Sequence, residues 1–146
     1  METKKSILVL GSDGLLGSAT KRSEYLNSNF HIHFSNRDEA ELTDLNQVEN
    51  LFKKINPNIV INCAGKVGGI LANTQNQFEF LHENLKITLN IFEMMKSRKN
   101  VTLINFGSSA IYPKNVSNPL KEEYLMTGEL ESSNASYSLS KIVGIE

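Results

Sequence analysis

The stretch SILVLGSDGLLG, residues 6–17, joins an aliphatic run to Gly11, Gly14 and Gly17. Residues 6–10 predict a buried strand, and residues 15–26 predict a helix. Glycines between a strand and a helix permit a tight turn, a close backbone approach to a pyrophosphate and close packing of the helix on the strand. The first N–H groups of the helix add a partial positive charge that suits phosphate groups. The stretch therefore predicts a dinucleotide-binding loop, with three ordinary turn glycines as the alternative.

The rest of the chain alternates short apolar runs with longer amphipathic stretches. Further strands are predicted at residues 30–34, 58–62 and 101–106, and further helices at residues 46–55, 77–96 and from Tyr137 onward. Asp44 is a candidate N-cap of the helix at residues 46–55, which Pro57 ends. A long irregular stretch is predicted at residues 113–133. The order βαβαβαβ predicts an α/β fold with a Rossmann-type doubly wound parallel sheet and helices on both faces.

Length and composition exclude several classes of protein. The 146 residues suit one domain, and their 15 Lys and Arg against 16 Asp and Glu argue against a nucleic-acid binder driven by phosphate neutralisation. The single cysteine, Cys63, excludes a disulfide framework and a multi-cysteine zinc site. His31 and His33 alternate on a predicted strand and are expected to face solvent or a helix and not to bind a metal. The longest clean apolar run, residues 7–10, is too short for a membrane span or a signal-peptide core. A cytoplasmic protein without metal, membrane or nucleic-acid partners is expected.

The residues after the second predicted strand bear on the choice of dinucleotide. In such folds an acidic residue at this point holds the ribose 2′-hydroxyl of NAD(H), whereas an arginine receives the 2′-phosphate of NADP(H). Arg37 stands there and suits a phosphate, and Asp38 beside it would repel one if it pointed inward. NADP(H) is favoured over NAD(H), and a solvated arginine at a strand end is the alternative.

Three further residues suggest carbonyl chemistry. Tyr137 and Lys141 are four residues apart, so a helix places them on one face, where an ammonium beside a phenol favours the phenolate. Such a tyrosine can exchange a proton with a carbonyl or alcohol oxygen. Ser108 follows the strand predicted at residues 101–106, at the sheet edge where ligands of open parallel sheets bind. A surface tyrosine, a solvated lysine and a Gly-Ser-Ser turn are the alternatives.

The ordered set Gly11-x-x-Gly14-x-x-Gly17, Ser108 and Tyr137-x-x-x-Lys141 resembles the extended short-chain dehydrogenase/reductase superfamily, and within it the NAD-dependent epimerases and dehydratases. Two longer blocks, AGKVGGILAN at residues 64–73 and GSSAIYPK at residues 107–114, resemble the GDP-L-fucose synthase family, as do residues 37–39 and 42–44. That family is bifunctional: its members epimerise GDP-4-keto-6-deoxy-D-mannose at C3 and C5 and reduce the 4-keto group with NADPH. The resemblance covers essentially the whole chain.

The resemblance implies a role for each matching residue. Tyr137 would protonate the 4-keto oxygen while NADPH delivers hydride, Lys141 would orient the cofactor ribose and favour the phenolate, and Ser108 would hydrogen-bond the keto oxygen. The implied cofactor-binding residues are Gly11, Gly14, Leu15, Gly17, Arg37, Asp44, Leu45, Ala64 and Lys141. The implied substrate-binding residues are Lys66, Val67, Gly68, Gly69, Ser108 and Ser109. A GDP-linked 4-keto-6-deoxy sugar is the implied substrate, and a homodimer through the helix at residues 77–96 is the implied assembly.

Three departures from the family pattern limit what the resemblance implies. Ala110 stands where the family has a cysteine that acts in epimerisation, and alanine cannot move a proton. Ser12 and Asp13 stand where the glycine loop of the family carries a basic residue, and a carboxylate there would weaken cofactor binding unless it turned outward. The chain stops shortly after Lys141, so an incomplete dinucleotide-binding domain over residues 1–146, without the C-terminal substrate-binding lobe and its catalytic histidine, is expected.

Two other functions remain open at this point. The first is a non-catalytic dinucleotide-binding protein, which the position of the C-terminus suggests. The second is a different nucleotide-sugar epimerase or dehydratase that retains bound NAD. Dehydratases place acidic residues directly after the hydroxyl of the fourth strand, whereas Ser109, Ala110 and Ile111 follow it here, so this second alternative ranks lower.

Overall fold

The structure, a computed structural model, describes residues 4–146. Its strands are Ser6–Leu10 (β1), His31–Ser35 (β2), Ile59–Asn62 (β3) and Thr102–Asn105 (β4). Its α-helices are Leu15–Lys21 (α1), Glu24–Asn29 (α2), Leu45–Ile55 (α3), Ile70–Gln75 (α4), Gln77–Lys96 (α5) and Ala135–Val143 (α6). Two single-turn 3-10 helices, Ser109–Ile111 and Glu122–Tyr124, lie between β4 and α6.

The four strands form one parallel sheet in the order β2-β1-β3-β4. Leu8 at the centre of β1 is level with His33 of β2 and Val60 of β3. Parallel neighbours need crossover connections, and helices supply them along this chain. The parallel sheet with flanking helices confirms the predicted Rossmann-type fold class.

Alternate residues of the central strands enter two separate apolar clusters. Leu8, Leu10 and Val60 pack with side chains of α3 and of the second half of α5. Ile7, Val9 and Ile61 form a second cluster with side chains that include those of Leu26, Phe30 and Cys63. Because successive side chains of a strand point to opposite faces, the two clusters lie on the two faces of the sheet. Helices on both faces therefore bury β1 and β3 beyond the first residue of each strand, and the prediction of a buried strand at residues 6–10 is confirmed.

The predicted helix boundaries match the structure most closely where a capping residue or a regular apolar period marks them. α5 has the predicted bounds, and α3 begins after Asp44, whose carboxylate accepts hydrogen bonds from the backbone N–H groups of Asn46 and Gln47. The candidate N-cap is thereby confirmed. α3 ends at Ile55 and is followed by its C-cap, Asn56, in the left-handed conformation directly before Pro57.

Two helical predictions differ from the structure. The single helix predicted at residues 15–26 is two helices, because α1 ends at Lys21 and the Ser23 hydroxyl caps α2 by accepting the N–H of Leu26 at 3.3 Å. The helix α4 was not predicted, since its six residues are too few to show an apolar period. Its capping residue is Gly69, which also accepts the N–H of Asn73.

The described residues form two compact units. The first contains the chain through Gly65 together with Lys86–Phe106, and so holds the whole sheet. The second contains Lys66–Leu85 and Gly107–Glu146, and so holds α4, the first half of α5, both 3-10 helices and α6. Within residues 4–146, no helix is long and apolar enough to cross a membrane. The same residues contain no group of three or more His, Cys, Asp or Glu side chains able to hold a metal ion.

Candidate functional site

The glycine loop of the first unit is built by contacts that exclude side chains at two of its three glycines. Gly11 has φ +73°, and a Cβ there would lie 2.7 Å from the Cα of Ala64. A Cβ on Gly17 would overlap the carbonyl oxygen of Gly11 and lie 2.6 Å from the Cα of Ser12. Gly14 differs, because its Cβ would meet the Gly11 carbonyl at an ordinary 3.5 Å. Two glycines are thus fixed by the packing of the loop, and the third leaves open backbone at the start of α1.

This loop fits the pyrophosphate of a dinucleotide. It connects the end of β1 directly to α1, with Gly14 as the residue before the helix and Leu15 as the first helical residue. Leu15 is 86% exposed, so the start of the helix is not covered by other described side chains. Open backbone beside a glycine turn is the surface that a pyrophosphate needs for close approach. The residues present therefore fit the predicted cofactor.

A pair of asparagines ties the carboxyl ends of β3 and β4 beside the glycine loop. The amide of Asn62 donates to the Asn105 side-chain oxygen at 2.8 Å. The Asn62 oxygen accepts the N–H of Ala64 at 3.1 Å, and Ala64 lies against Gly11. The sequence prediction missed Asn62, although a buried polar residue that ends the aliphatic run of β3 was a usable signal. Asn62 sets the position of Ala64, a predicted cofactor-binding residue.

The residues predicted to select the dinucleotide lie after β2 and before α3. Arg37 is 75% exposed and forms an ion pair with Glu41, four residues further along the chain. The carboxylate of Asp44 is engaged in capping α3, with Leu45 as the first helical residue. Hydrogen bonds from the side chain and backbone of Gln47 hold the pKa of Asp44 below its ordinary value. Leu45 and Arg37 therefore keep exposed surface for a ligand, whereas Asp44 already has backbone partners.

Asp13, which departs from the pattern of the family that the sequence resembles, has three polar partners. Its carboxylate accepts hydrogen bonds from the Lys21 ammonium at 2.7 Å and from the Asn36 amide at 2.8 Å. The Ser12 hydroxyl donates a longer bond of 3.3 Å. The bond from Lys21 contributes most to lowering the pKa of Asp13. The carboxylate thus stays ionised and lies on the side of the loop that faces the end of β2.

In the second unit, the backbone of Lys66 is held by one buried side chain. Asn84 is 3% exposed; its side-chain oxygen accepts the Lys66 N–H at 2.7 Å, and its amide donates to the Lys66 carbonyl at 3.0 Å. The Lys66 ammonium pairs with Glu83 and lies 5.8 Å from the centre of the Phe80 ring. These contacts fix the start of the loop that precedes α4. The sequence prediction missed Glu83 and Asn84, because both belong to a helix whose apolar stripe dominated its interpretation.

The loop beyond Lys66 combines fixed backbone with an exposed side chain. The amide of Asn73 donates to the carbonyls of Gly68 and Gly69 at 2.8 and 3.2 Å. A Cβ on Gly68 would lie 2.9 Å from the Phe80 ring, whereas one on Gly69 would meet nothing within 4 Å. Val67 remains largely exposed. The predicted substrate-binding stretch is therefore an ordered loop that presents Val67 and open glycine backbone.

The three predicted catalytic residues all belong to the second unit. Tyr137 and Lys141 lie one turn apart on α6, with the lysine Nζ 5.9 Å from the centre of the tyrosine ring. Burial lowers the pKa of Lys141. The Ser108 hydroxyl accepts the N–H of Ala110 at 3.2 Å and so caps the 3-10 helix that begins at Ser109, and this helix contacts α6. Ser108 keeps its own O–H free to donate, because that bond uses only a lone pair.

The sheet order and the glycine loop define an α/β protein of the dinucleotide-binding class. Within that class, residues 7–146 match the NAD dependent epimerase/dehydratase family, and the chain belongs to it.

Several relatives are named for GDP-sugar chemistry. The chain is 39% identical over 142 residues to the GDP-L-fucose synthase of Sinorhizobium fredii, and the aligned residues cover 97% of this chain and 45% of that protein. It is 36% identical over 140 residues to the GDP-L-colitose synthase of Yersinia pseudotuberculosis, covering 93% of this chain and 44% of that protein. Among solved structures, the GDP-mannoheptose C4 reductase of Campylobacter jejuni with NADP bound is similar, with a TM-score of 0.89 and 33% identity over 99% of this chain and 43% of that one. The chain thus spans less than half the length of these relatives.

Proposed function

We propose that this chain carries the cofactor-binding and proton-donating residues of an NADPH-dependent reductase that acts on the 4-keto group of a GDP-linked 4-keto-6-deoxy sugar. The observation that carries the proposal is the Tyr137–Lys141 pair on α6, with Ser108 on the segment that contacts this helix. The glycine loop supports the cofactor half of the proposal, since its backbone fits a pyrophosphate. The names of the relatives support the GDP-sugar class of substrate.

The chemistry assigned to these residues is the protonation of a carbonyl oxygen. Bound NADPH supplies hydride to the carbonyl carbon. The Tyr137 hydroxyl donates its proton to the oxygen, and the Ser108 hydroxyl donates a hydrogen bond to the same oxygen as negative charge develops. Proton loss leaves a phenolate one turn from Lys141. Because burial disfavours the charged form of Lys141, a neighbouring anion stabilises that form, and the pair favours proton transfer from the tyrosine.

Arg37 and the Lys66–Gly69 loop complete the proposed binding residues. Arg37 would contact the 2′-phosphate of NADP(H), for which its planar guanidinium is suited. Lys66, Val67, Gly68, Gly69 and Ser109 would contact the sugar nucleotide. We further propose a cytoplasmic homodimer, supported by the exposed apolar side chains of Phe78 and Leu89 on α5. Sedimentation of the purified chain at micromolar concentration measures that state.

The test of the proposed reaction is the loss of NADPH absorbance when the 146-residue chain meets GDP-4-keto-6-deoxy-D-mannose. Tyr137→Phe should lower kcat by a factor of about 10² to 10⁴, the range typical of a general acid. Tyr25→Phe is the matched control, because Tyr25 is an exposed tyrosine of α2, and its activity should equal that of the unchanged chain. NADP⁺ binding without turnover would replace the proposal with a non-catalytic dinucleotide-binding function. NAD retained through purification would favour an epimerase or dehydratase.

Ala110 leads to a second part of the proposal, reduction without epimerisation. Ala110 lies in the 3-10 helix that Ser108 caps; its backbone N–H is bonded to the Ser108 hydroxyl, and its side chain is a methyl group. No proton can move through a methyl group. In deuterated water, the reduced sugar should therefore carry no solvent deuterium at C3 or C5. Deuterium at either carbon would show that another residue exchanges these protons.

A further inference from the structure

The end of β2 and the glycine loop are joined by backbone and side-chain bonds. The N–H of Ser12 donates to the carbonyl of Ser35 at 3.0 Å. One residue further along each strand end, the Asn36 amide donates to the Asp13 carboxylate at 2.8 Å. The oxygen of the same amide accepts the N–H of Glu39 at 3.2 Å, which fixes the orientation of the amide. Asp13 therefore lies at the end of β2, although the glycine loop supplies it.

Lys21 belongs to the same group of side chains. Its ammonium donates to Asp13 at 2.7 Å and lies 5.9 Å from the centre of the Phe34 ring of β2. Asp13 and Lys21 are 62% and 40% exposed, so a ligand can reach both. A carboxylate and an ammonium thus stand together beside the strand end that, in this fold, meets the adenosine ribose.

The ribose 2′ position separates the two dinucleotides. A carboxylate there accepts a hydrogen bond from the 2′-hydroxyl of NAD(H), and it repels the 2′-phosphate of NADP(H). We propose that Asp13 accepts the adenosine 2′-hydroxyl and opposes the 2′-phosphate, so that the chain binds NAD(H) as well as NADP(H), with Lys21 as the residue that offsets the repulsion. The inference rests on the proposed function for the presence of a dinucleotide, and it assigns to Asp13 and Lys21 a role in choosing between the two.

The size of the effect follows from charge and distance. A 2′-phosphate carries about two negative charges, and at about 6 Å in a water-like dielectric its repulsion by one carboxylate changes affinity about tenfold. Salt screens exposed charges over about 8 Å at 0.15 M ionic strength, so the effect should shrink as salt is added. A hydrogen bond to a hydroxyl has no such dependence.

The experiment is calorimetric titration of the 146-residue chain with NADP⁺ and with NAD⁺, which needs no turnover. The unchanged chain should bind the two with dissociation constants within about tenfold of each other. Asp13→Asn should tighten NADP⁺ binding about tenfold at low salt, and Lys21→Gln should weaken it by a similar factor. Lys21→Gln should change NAD⁺ binding less than threefold, whereas Asp13→Asn should weaken it, because the 2′-hydroxyl loses its carboxylate acceptor. Glu49→Gln is the matched control, because Glu49 forms an exposed ion pair of 2.8 Å with Lys53 on α3.

Several outcomes would overturn the inference. A ratio of the two constants that Asp13→Asn leaves unchanged would show that the carboxylate does not meet the 2′ position. Equal changes for both nucleotides would show that Asp13 only supports the loop. Failure of the unchanged chain to bind either nucleotide would overturn both this inference and the cofactor half of the proposed function. The expected changes in binding without any NADPH oxidation would instead confirm the inference and contradict the reaction alone.

Discussion

Gly17→Ala tests whether the packing of the glycine loop, rather than helix propensity, decides which residue this position accepts. Gly17 is buried within α1, where alanine normally stabilises a helix by about 1 kcal/mol relative to glycine. Here the added methyl would overlap the Gly11 carbonyl and lie 2.6 and 2.7 Å from backbone atoms of Ser12. Backbone atoms cannot turn aside as a flexible side chain can. Overpacking typically costs about 1–3 kcal/mol. Contact with backbone atoms places this site at the upper end of that range, so steric overlap outweighs the gain in propensity.

The expected result is a net loss of about 2 kcal/mol in the free energy of unfolding, or about 4–8 °C in Tm for a chain of this size. Gly14→Ala is the matched control in the same loop, since its Cβ would sit at an ordinary 3.5 Å from the Gly11 carbonyl and its φ of −71° suits any residue. It should cost less than about 1 kcal/mol, the effect of exchanging glycine at an N-cap. Urea unfolding followed by circular dichroism measures both variants. Equal stability of the two would refute the account of the loop.

Three further predictions concern stability and pH. Asp44→Ala should lower the Tm by removing the cap of α3. Because the bonds with Gln47 lower the pKa of Asp44 from 3.8, the cap should stabilise the fold above pH 3.8, and its contribution should disappear as the pH falls through the pKa of Asp44 in the folded state. Urea unfolding of both proteins at pH 7 and pH 2.5 measures this contribution. Burial lowers the pKa of Lys141, so this lysine loses its proton at a lower pH in the folded state than in the unfolded chain. The free energy of unfolding should therefore rise as the pH increases toward 10.5, and Lys141→Met should remove that rise. Asn84→Ala should lower the free energy of unfolding by about 2–4 kcal/mol, because it leaves the Lys66 N–H and carbonyl unpaired. Amide hydrogen exchange at residues 66–69 should accelerate. Exchange in β1 should not accelerate beyond what the loss of global stability explains.

The fold was predictable because several local signals agreed. The apolar run of β1, the glycines after it and the alternation of strands with helices all indicated the same parallel sheet. α5 was located to the residue because its apolar side chains recur every three or four positions over twenty residues. The break between α1 and α2 was not predictable from periodicity, because it depends on the Ser23 hydroxyl, which caps α2 by accepting the N–H of Leu26. The short α4 lacked enough turns to show a pattern at all.

The sequence predicted which residues of the candidate site share a helix face, but not which other residues they contact. Tyr137 and Lys141 follow from helical spacing alone, and the structure places them together on α6. Asn84 could not be assigned from sequence, because its role depends on the backbone of Lys66, which the fold brings beside it. Asn62 could have been singled out as a polar residue that ends an aliphatic strand, but its partner Ala64 is known only from the structure. Gly14 and Gly17 are alike in sequence, yet only the packing of the loop separates the glycine that must stay from the one that can change.

Charge pairing is the feature that sequence reasoning handled least well. Arg37 was predicted to meet the 2′-phosphate of NADP(H), and Lys66 was predicted to bind substrate. Each is paired with a carboxylate of the chain itself, Glu41 and Glu83 respectively. Lys21 is paired with Asp13 in the same manner. An anionic ligand that binds any of these cations must therefore displace the paired carboxylate or bind beside it. Repulsion from that carboxylate offsets part of the attraction between the ligand and the cation. Backbone N–H groups at the start of a helix carry no competing anion, so we expect them to contribute to phosphate affinity alongside these paired cations. The almost equal numbers of acidic and basic residues in the chain are consistent with this division of roles.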